Sequence, residues 1–233
     1  MDDGAASTGS DGGTVNAAKS ALRRRVLAAR RARAKRGDAA VRQRDAAALT
    51  SAVLALLADQ AGGQPCRVAA YRSMASEPPT ERLVEALLAA GHEVVFPVTL
   101  PDLDLDWTLA HRAAGVVAGL DVETLGVDAI SGAALVVTPG FAVDRLGHRL
   151  GRGGGSYDRA LVRRSSSALV VTLLYDEELL GADERVPMEG HDVLVDAVVT
   201  PGLGTVRVGD DHVVDAPAEV AANELRDVQP EQG

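Results

Sequence analysis

The segment AALVVTPGFAVDRLGHRLGRGGGSYDRAL, residues 133–161, joins a predicted strand to a predicted helix through a long loop. The apolar run at residues 133–137 is typical of a strand that is buried on both faces. The loop is rich in glycine, and we expect the helix to begin at Ser156, with this serine as its N-cap. This order of strand, loop and helix predicts one unit of a mostly parallel α/β sheet.

The loop combines main-chain N–H groups with positive charge. Its glycines are Gly147, Gly151, Gly153, Gly154 and Gly155, and the arginines in or beside it are Arg145, Arg149, Arg152 and Arg159. Glycines leave N–H groups open to a ligand, a helix N-terminus adds partial positive charge, and guanidinium groups match phosphate oxygens. We therefore expect a polyanion here, most simply the phosphates of a nucleotide. The alternative is a flexible surface loop without a ligand.

Strands and helices alternate in the rest of the chain. Helices are expected at residues 17–35, 39–58, 80–90 and 156–164, and further strands at residues 66–71, 93–97, 105–109, 168–173 and 195–200. Such alternation predicts a single α/β domain, residues 16–208, whose mostly parallel sheet has helices on both faces. Ligands of such sheets bind beyond the carboxyl ends of the strands, which is where this prediction places Arg72.

The composition limits the partners and the location. The net charge of -9 argues against a nucleic acid as the main partner. The single cysteine, Cys66, indicates a reducing compartment, and no apolar stretch reaches the roughly 18 residues of a membrane span. We therefore expect a cytoplasmic protein that does not bind membranes. Residues 1–15 and the acidic residues 209–233 are predicted to be disordered tails.

Two aspartates each have two interpretations. Asp158 lies in the first turn of the helix after the glycine loop, where an acid favours the helix dipole. Beside bound phosphates, however, its carboxylate would be repelled unless a hard divalent cation bridged the two. Asp192 is either a turn residue next to a strand or a second ligand of that cation, and the spacing alone favours the turn.

Four other charged residues are candidates for ligand binding. Lys19 and Arg23 lie one turn apart on the first helix, either on a solvated face or on a cationic wall that closes over phosphates. Arg72 and Glu77 flank the loop after the first strand. Glu77 could accept hydrogen bonds from an aminopyrimidine-like ring, although a surface acid is the simpler interpretation. Ser156 nearly matches the nucleophile elbow of hydrolases, but no strand ends directly before it.

Four motifs occur in order between residues 17 and 200. The glycine loop has the pattern G-x-R-L-G-x-G-x-G-x-Y-D at residues 147–158, and residues 19–23 read KSALR. Residues 71–80 follow Y-x-x-x-x-x-E-x-x-T, and residues 187–200 contain P-x-E-x-H-D and then D-x-x-x-T. Together these motifs resemble the 5-formyltetrahydrofolate cyclo-ligase (methenyltetrahydrofolate synthetase) family.

The resemblance implies a fold and a reaction. The fold is a three-layer α/β domain related to the ribose-5-phosphate isomerase and CoA-transferase group. The reaction converts ATP and 5-formyltetrahydrofolate, with or without a polyglutamyl tail, into 5,10-methenyltetrahydrofolate, ADP and phosphate. It requires Mg2+ and passes through transfer of the γ-phosphoryl group to the formyl oxygen.

The same resemblance assigns roles to individual residues. Asp158 and Asp192 would hold Mg2+, and Arg72 and Glu77 would contact the folate. Arg152 would act on the phosphates as the catalytic arginine. The residues implied for ATP are Lys19, Arg23, Arg149, Gly151, Arg152, Gly153, Gly154, Gly155, Ser156, Tyr157 and Asp158.

The chain departs from the family pattern at two loop positions. Some members have a lysine at the position of Gly154, and the glycine lacks the phosphate contact that this lysine would make. Many members have a second tyrosine at the position of Ser156, and we expect the smaller serine to pack less tightly against the folate. These departures motivate one alternative, a non-catalytic paralogue that binds a nucleotide or folate without turning it over.

Overall fold

The computed structural model describes residues 11–113, 116–118, 123–188 and 192–209 of the chain. The helices are α1 (Asp11–Arg36), α2 (Ala39–Ala61), α3 (Glu81–Ala89) and α4 (Ser156–Leu161), with short 3-10 helices at Val127–Gly132 and Asp176–Glu178. The strands are β1 (Arg67–Ala69), β2 (Glu93–Thr99), β3 (Leu105–Leu109), β4 (His111–Ala113), β5 (Val116–Ala118), β6 (Ala133–Pro139), β7 (Ala142–Val143), β8 (Arg149–Leu150), β9 (Leu169–Leu173), β10 (Ala197–Thr200) and β11 (Gly204–Arg207). Within these ranges no helix has the length and apolar character needed to span a bilayer.

Seven strands form one sheet in the order β11-β10-β9-β6-β1-β2-β3. The inner strands run parallel to one another, whereas the edge strands β3 and β11 are antiparallel to their neighbours. The mostly parallel sheet expected from the apolar runs is thereby confirmed. The sequence did not predict β11, because this strand is short and its side chains are only partly buried or exposed.

Alternate side chains of the sheet enter two different cores. Along β6, Leu135 and Val137 pack with α2 and α3 on one face. Val136, which lies between them, packs with α4 and the 3-10 helix Val127–Gly132 on the other face. A strand with both faces buried must be apolar throughout, which explains the unbroken runs in the sequence. The predicted α/β class with helices on both faces of the sheet is confirmed.

Helix α1 is docked on this body by a buried ion pair. The Arg30 guanidinium donates to the two carboxylate oxygens of Glu178 at 2.6 and 2.7 Å, and to the main-chain oxygen of Gly140 at 2.7 Å. Both charged side chains are almost completely buried. One turn earlier, Val26 packs against the β7–β8 hairpin and Leu180. These contacts fix α1 at the point where β6 ends.

The start of α1 differs from our expectation. The helix begins at Asp11 instead of residue 17, so Asn16 lies inside it and residues 11–15 are helical instead of part of a disordered tail. The segment contains no proline, and a helix that has already formed extends at little cost. Residues 1–10 and 210–233 lie outside the described residues, and the tails predicted there remain predictions.

Removal of the Glu178 carboxylate should strongly destabilise the fold. Glu178→Ala leaves the Arg30 charge buried and unpaired, which typically costs about 3–5 kcal/mol. Glu177→Ala is the matched control because the Glu177 carboxylate is 53% exposed and lies 3.7 Å from Arg33. For such a surface pair we expect a loss of at most about 1 kcal/mol. Denaturant unfolding followed by circular dichroism measures both losses, and equal values would contradict the docking role of the buried pair.

Candidate active site

A cavity of about 540 Å³ opens at the carboxyl ends of β1, β2 and β6. Its walls include Arg72 after β1, Thr99 at the end of β2 and Gly140 after β6. Further walls come from α1, the glycine loop and the first turn of α4. The cavity thus lies where parallel sheets usually bind their ligands.

The structure brings the predicted site residues together at this cavity. They are Lys19, Arg23, Arg72, Glu77, Arg149, Gly151, Arg152, Gly153, Gly154, Gly155, Ser156, Tyr157, Asp158 and Asp192. Two arginines near the loop lie elsewhere. Arg145 is exposed outside the cavity, and Arg159 donates to the main-chain oxygens of Leu103 and Gly154 at 2.8 Å. The positive charge around the loop is therefore divided between the cavity, the loop backbone and solvent.

The glycine loop leaves the sheet through the β7–β8 hairpin, which the sequence did not predict. The buried Asp144 organises the turn of this hairpin by accepting hydrogen bonds from the N–H groups of Leu146 and His148. Beyond the hairpin, Gly153 has a φ of 104° and lies against Arg23, where a Cβ atom would be 3.3 Å from Nη2. Glycine at this position therefore permits the turn and the close approach of α1.

Helix α4 begins after a left-handed glycine. Gly155 occupies the N-cap position with a φ of 65°, and Ser156 is the first helical residue. The prediction of Ser156 as N-cap is wrong because the turn requires a left-handed residue, a conformation that glycine adopts without strain. The preceding strand, β8, ends at Leu150, so Ser156 does not lie directly after a strand as a nucleophile elbow requires.

Arg149 ties the loop to the sheet and to α4. Its side chain is 3% exposed, and Nη2 donates to Oδ1 of Asp158 at 2.9 Å. Nη1 donates to the main-chain oxygen of Pro139 at 3.3 Å, and the guanidinium lies 5.5 Å from the centre of the Tyr157 ring. A charged hydrogen bond therefore holds the Asp158 carboxylate in position at the cavity wall.

Helix α1 supplies a second, cationic wall. Lys19 is buried, and its Nζ donates to Oδ2 of Asp192 at 3.1 Å. Arg23 donates through Nε to the main-chain oxygen of Gly151 at 2.8 Å. The interpretation of Lys19 and Arg23 as a solvated face is therefore wrong. Asp192 is the partner of Lys19 in this ion pair at the cavity wall.

Glu77 and Arg152 connect the two loops that we expected to hold different ligands. Nη2 of Arg152 donates to Oε1 of Glu77 at 2.8 Å, and the N–H of Met74 donates to Oε2 at 2.8 Å. Glu77 is buried, whereas the Arg152 side chain is 59% exposed. The interpretation of Glu77 as a surface acid is therefore wrong. Arg72 is exposed and lines the same cavity.

Asp158 and Asp192 offer the hard oxygen ligands that a divalent cation prefers. Each carboxylate already accepts a hydrogen bond from a cationic side chain, Arg149 or Lys19. Among the described residues, no group of three or more His, Cys, Asp or Glu side chains could hold a metal ion. A cation at these two aspartates would therefore need further oxygens from a ligand or from water, and this assignment stays a prediction.

Tyr71, which was not among the predicted site residues, lies just beyond β1, is buried and lines the cavity. Burial raises the pKa of Tyr71 well above the ordinary phenol value, and it also raises the pKa of Tyr157. Both side chains therefore stay neutral hydrogen-bond donors across the physiological pH range. The available signal was an aromatic residue directly after a strand that ends at the ligand-binding edge of a sheet.

Comparison with known sequences agrees with the motifs. The model of the 5-formyltetrahydrofolate cyclo-ligase family matches residues 15–201. A 5-formyltetrahydrofolate cyclo-ligase of Mycolicibacterium smegmatis is 36% identical over 149 residues, which cover 60% of this chain and 75% of that protein. A protein of the same name from Mus musculus is 27% identical over 208 residues, which cover 80% of this chain and 95% of that protein.

Two solved structures share the fold. The 5,10-methenyltetrahydrofolate synthetase of Aquifex aeolicus has a TM-score of 0.60 at 24% identity. The superposition covers 86% of this chain and 97% of the Aquifex chain. The 5,10-methenyltetrahydrofolate synthetase of Mycoplasma pneumoniae has a TM-score of 0.59 at 17% identity. Here the superposition covers 78% of this chain and 98% of the Mycoplasma chain. At these identities the likeness concerns the fold. Since the family match extends from α1 through the glycine loop to β10, the chain belongs to the 5-formyltetrahydrofolate cyclo-ligase family.

Proposed function

We propose that this protein converts 5-formyltetrahydrofolate into 5,10-methenyltetrahydrofolate and hydrolyses ATP to ADP and phosphate in the same reaction. The observation that carries the proposal is that one cavity holds both sets of residues. Lys19, Arg23 and the glycine loop suit a triphosphate, and Arg72 and Glu77 line the same cavity beside β1. The proposal includes a cytoplasmic location and a substrate with or without a polyglutamyl tail.

The cationic side of the cavity would hold the phosphates of ATP. Lys19 and Arg23 belong to α1, whereas Arg149 and the loop amides belong to a segment more than 100 residues later, and all of them line the cavity. Arg152 is the proposed catalytic arginine because its side chain is largely exposed and can exchange its contacts with Glu77 and Met74 for a phosphate oxygen. Guanidinium–phosphate hydrogen bonds are among the strongest that proteins form.

Mg2+ fits the acidic residues of the site. Asp158 and Asp192 would hold it together with phosphate oxygens and water, since Mg2+ is commonly bound by one or two carboxylates plus phosphates. When bound, it would supply neutralisation of the charge on the phosphates. Arg149 and Lys19 position these carboxylates in the protein without ligand.

The proposed reaction depends on how the protein positions the two substrates and does not require a nucleophile from the protein. The formyl oxygen attacks the γ-phosphorus, and the bond from that phosphorus to ADP breaks as the new O–P bond forms. A neighbouring folate nitrogen then attacks the formyl carbon, phosphate leaves with the former formyl oxygen, and the proton of the nitrogen passes to solvent. Phosphoryl transfer requires mainly alignment and charge neutralisation, which cationic side chains and loop amides provide.

Turnover is the direct test of the proposal. Purified full-length protein mixed with Mg-ATP and 5-formyltetrahydrofolate should form the methenyl product, followed by its absorbance, and release one ADP per product. Calorimetric binding of ATP without ADP release in the presence of folate would favour the non-catalytic paralogue suggested by Gly154 and Ser156. A folded protein that binds neither ATP nor 5-formyltetrahydrofolate and forms no product would refute both functions.

Arg152→Ala should mainly weaken ATP binding. Loss of a charged hydrogen bond costs about 1.5–3 kcal/mol, which corresponds to a roughly 10- to 150-fold higher dissociation constant. Arg145→Ala is the matched control because Arg145 belongs to the same loop but is exposed outside the cavity. Isothermal titration with a non-hydrolysable ATP analogue measures both constants. Equal affinities of the two variants would remove Arg152 from the phosphate site.

Asp158→Asn should raise the Mg2+ concentration needed for half-maximal activity. The amide keeps an oxygen that can accept from Arg149, but it lacks the charge that attracts the cation. Titration of MgCl2 at fixed ATP compares the variant with the unmodified protein. An unaltered titration would mean that Asp158 serves only as the partner of Arg149 and of the helix dipole.

A further inference from the structure

Three buried donors without partners lie around the cavity. Among the described residues, the hydroxyls of Tyr71 and Tyr157 and Nε of Arg149 are buried without a hydrogen-bond partner. All three side chains belong to residues that line the cavity. Nε1 of Trp107 and Nε of Arg164 are also buried without a partner among the described residues, but they do not line the cavity. Because buried polar atoms nearly always have partners, the three donors whose residues line the cavity are the ones for which a ligand would supply the acceptors.

The two tyrosines approach the same region from different elements. Tyr71 follows β1, and Tyr157 lies in the first turn of α4. After burial, the negative charge of Glu77 also contributes to the raised pKa of both phenols. Arg149 lies under the Tyr157 ring, 5.5 Å from its centre. Tyr157 therefore lies beside Arg149, a residue of the proposed phosphate side, and both phenols are near enough to Glu77, on the proposed folate side, for its charge to affect their pKa.

We propose that the hydroxyls of Tyr71 and Tyr157 donate hydrogen bonds to the oxygens of the phosphoryl group as it passes from the nucleotide to the folate. This inference rests on the proposed function. The transferred group has to occupy the region between the two ligands, and both tyrosines line the cavity that is proposed to hold them. Fixed neutral donors suit an oxyanion because they stabilise its charge without reorganisation, and the phenolic protons stay on their oxygens throughout.

Tyr71→Phe and Tyr157→Phe test the inference because each removes one oxygen atom. Each variant should lower kcat about 10- to 100-fold, as expected for one hydrogen bond to a charged group. The KM values for ATP and 5-formyltetrahydrofolate should change less than about threefold, since the phenols act on the transferred group. Inactive unmodified protein would refute the proposed function. Fully active phenylalanine variants of an active protein would refute only this inference.

Thermal stability separates the proposed role from a structural one. Tyr175 is the matched control, because it is the third tyrosine of the chain and its hydroxyl donates to the main-chain oxygen of Glu77 at 3.1 Å. Tyr175→Phe should lower Tm, whereas Tyr71→Phe and Tyr157→Phe should leave Tm unchanged or raise it, since their hydroxyls have no protein bond to lose. A comparable fall of Tm in all three variants would contradict the inference.

Nuclear magnetic resonance provides a readout that does not depend on turnover. The full-length chain labelled with 13C at the ζ carbon of tyrosine should give three signals, which the phenylalanine variants assign. Addition of Mg2+, a non-hydrolysable ATP analogue and 5-formyltetrahydrofolate should shift the signals of Tyr71 and Tyr157 far more than that of Tyr175. Unchanged Tyr71 and Tyr157 signals at saturating ligand would overturn the inference.

Discussion

The candidate site depends on the buried ion pair between Arg30 and Glu178. Helix α1 is exposed over most of its surface and carries many charges, so burial of apolar area alone gives it a weak hold on the sheet. The Arg30 guanidinium compensates by satisfying Glu178 and the Gly140 carbonyl together. Because the same helix carries Lys19 and Arg23, this pair helps to hold the cationic wall at the cavity. A structural interaction of α1 thereby contributes to the electrostatics of the cavity.

Three pairs of opposite charges lie at the cavity. Arg152 contacts Glu77, Arg149 contacts Asp158, and Lys19 contacts Asp192. An unpaired buried charge is costly, so these contacts make the site compatible with a stable fold. They also mean that a phosphate or a cation would enter by exchange of partners. The exposed Arg152 can make such an exchange with little desolvation, whereas the buried Arg149 is better suited to hold Asp158 in place.

The sequence predicted the sheet well because its inner strands are continuous apolar runs, as at Leu135 and Val137, which any position in a buried parallel sheet requires. It predicted the edge of the sheet at which the cavity opens, because the loops at the carboxyl ends of the strands carry the glycines and the charged residues. The hairpin β7–β8 was not predicted because strands of two residues show no periodicity in the sequence. Glu77 was misjudged because its partner, Arg152, lies 75 residues away, a distance over which local patterns carry no information.

The contacts of α1 also have a consequence for synthesis of the chain. Its partners lie far along the sequence: Gly140 is 110 residues after Arg30, Glu178 is 148 residues after it, and Asp192 is 173 residues after Lys19. While the ribosome is still making the central strands, Arg30 lacks both Gly140 and Glu178 and remains in water. The cavity is therefore completed only after Asp192 has been synthesised, and under the proposed function a nascent chain gains no stabilisation from ATP until that point.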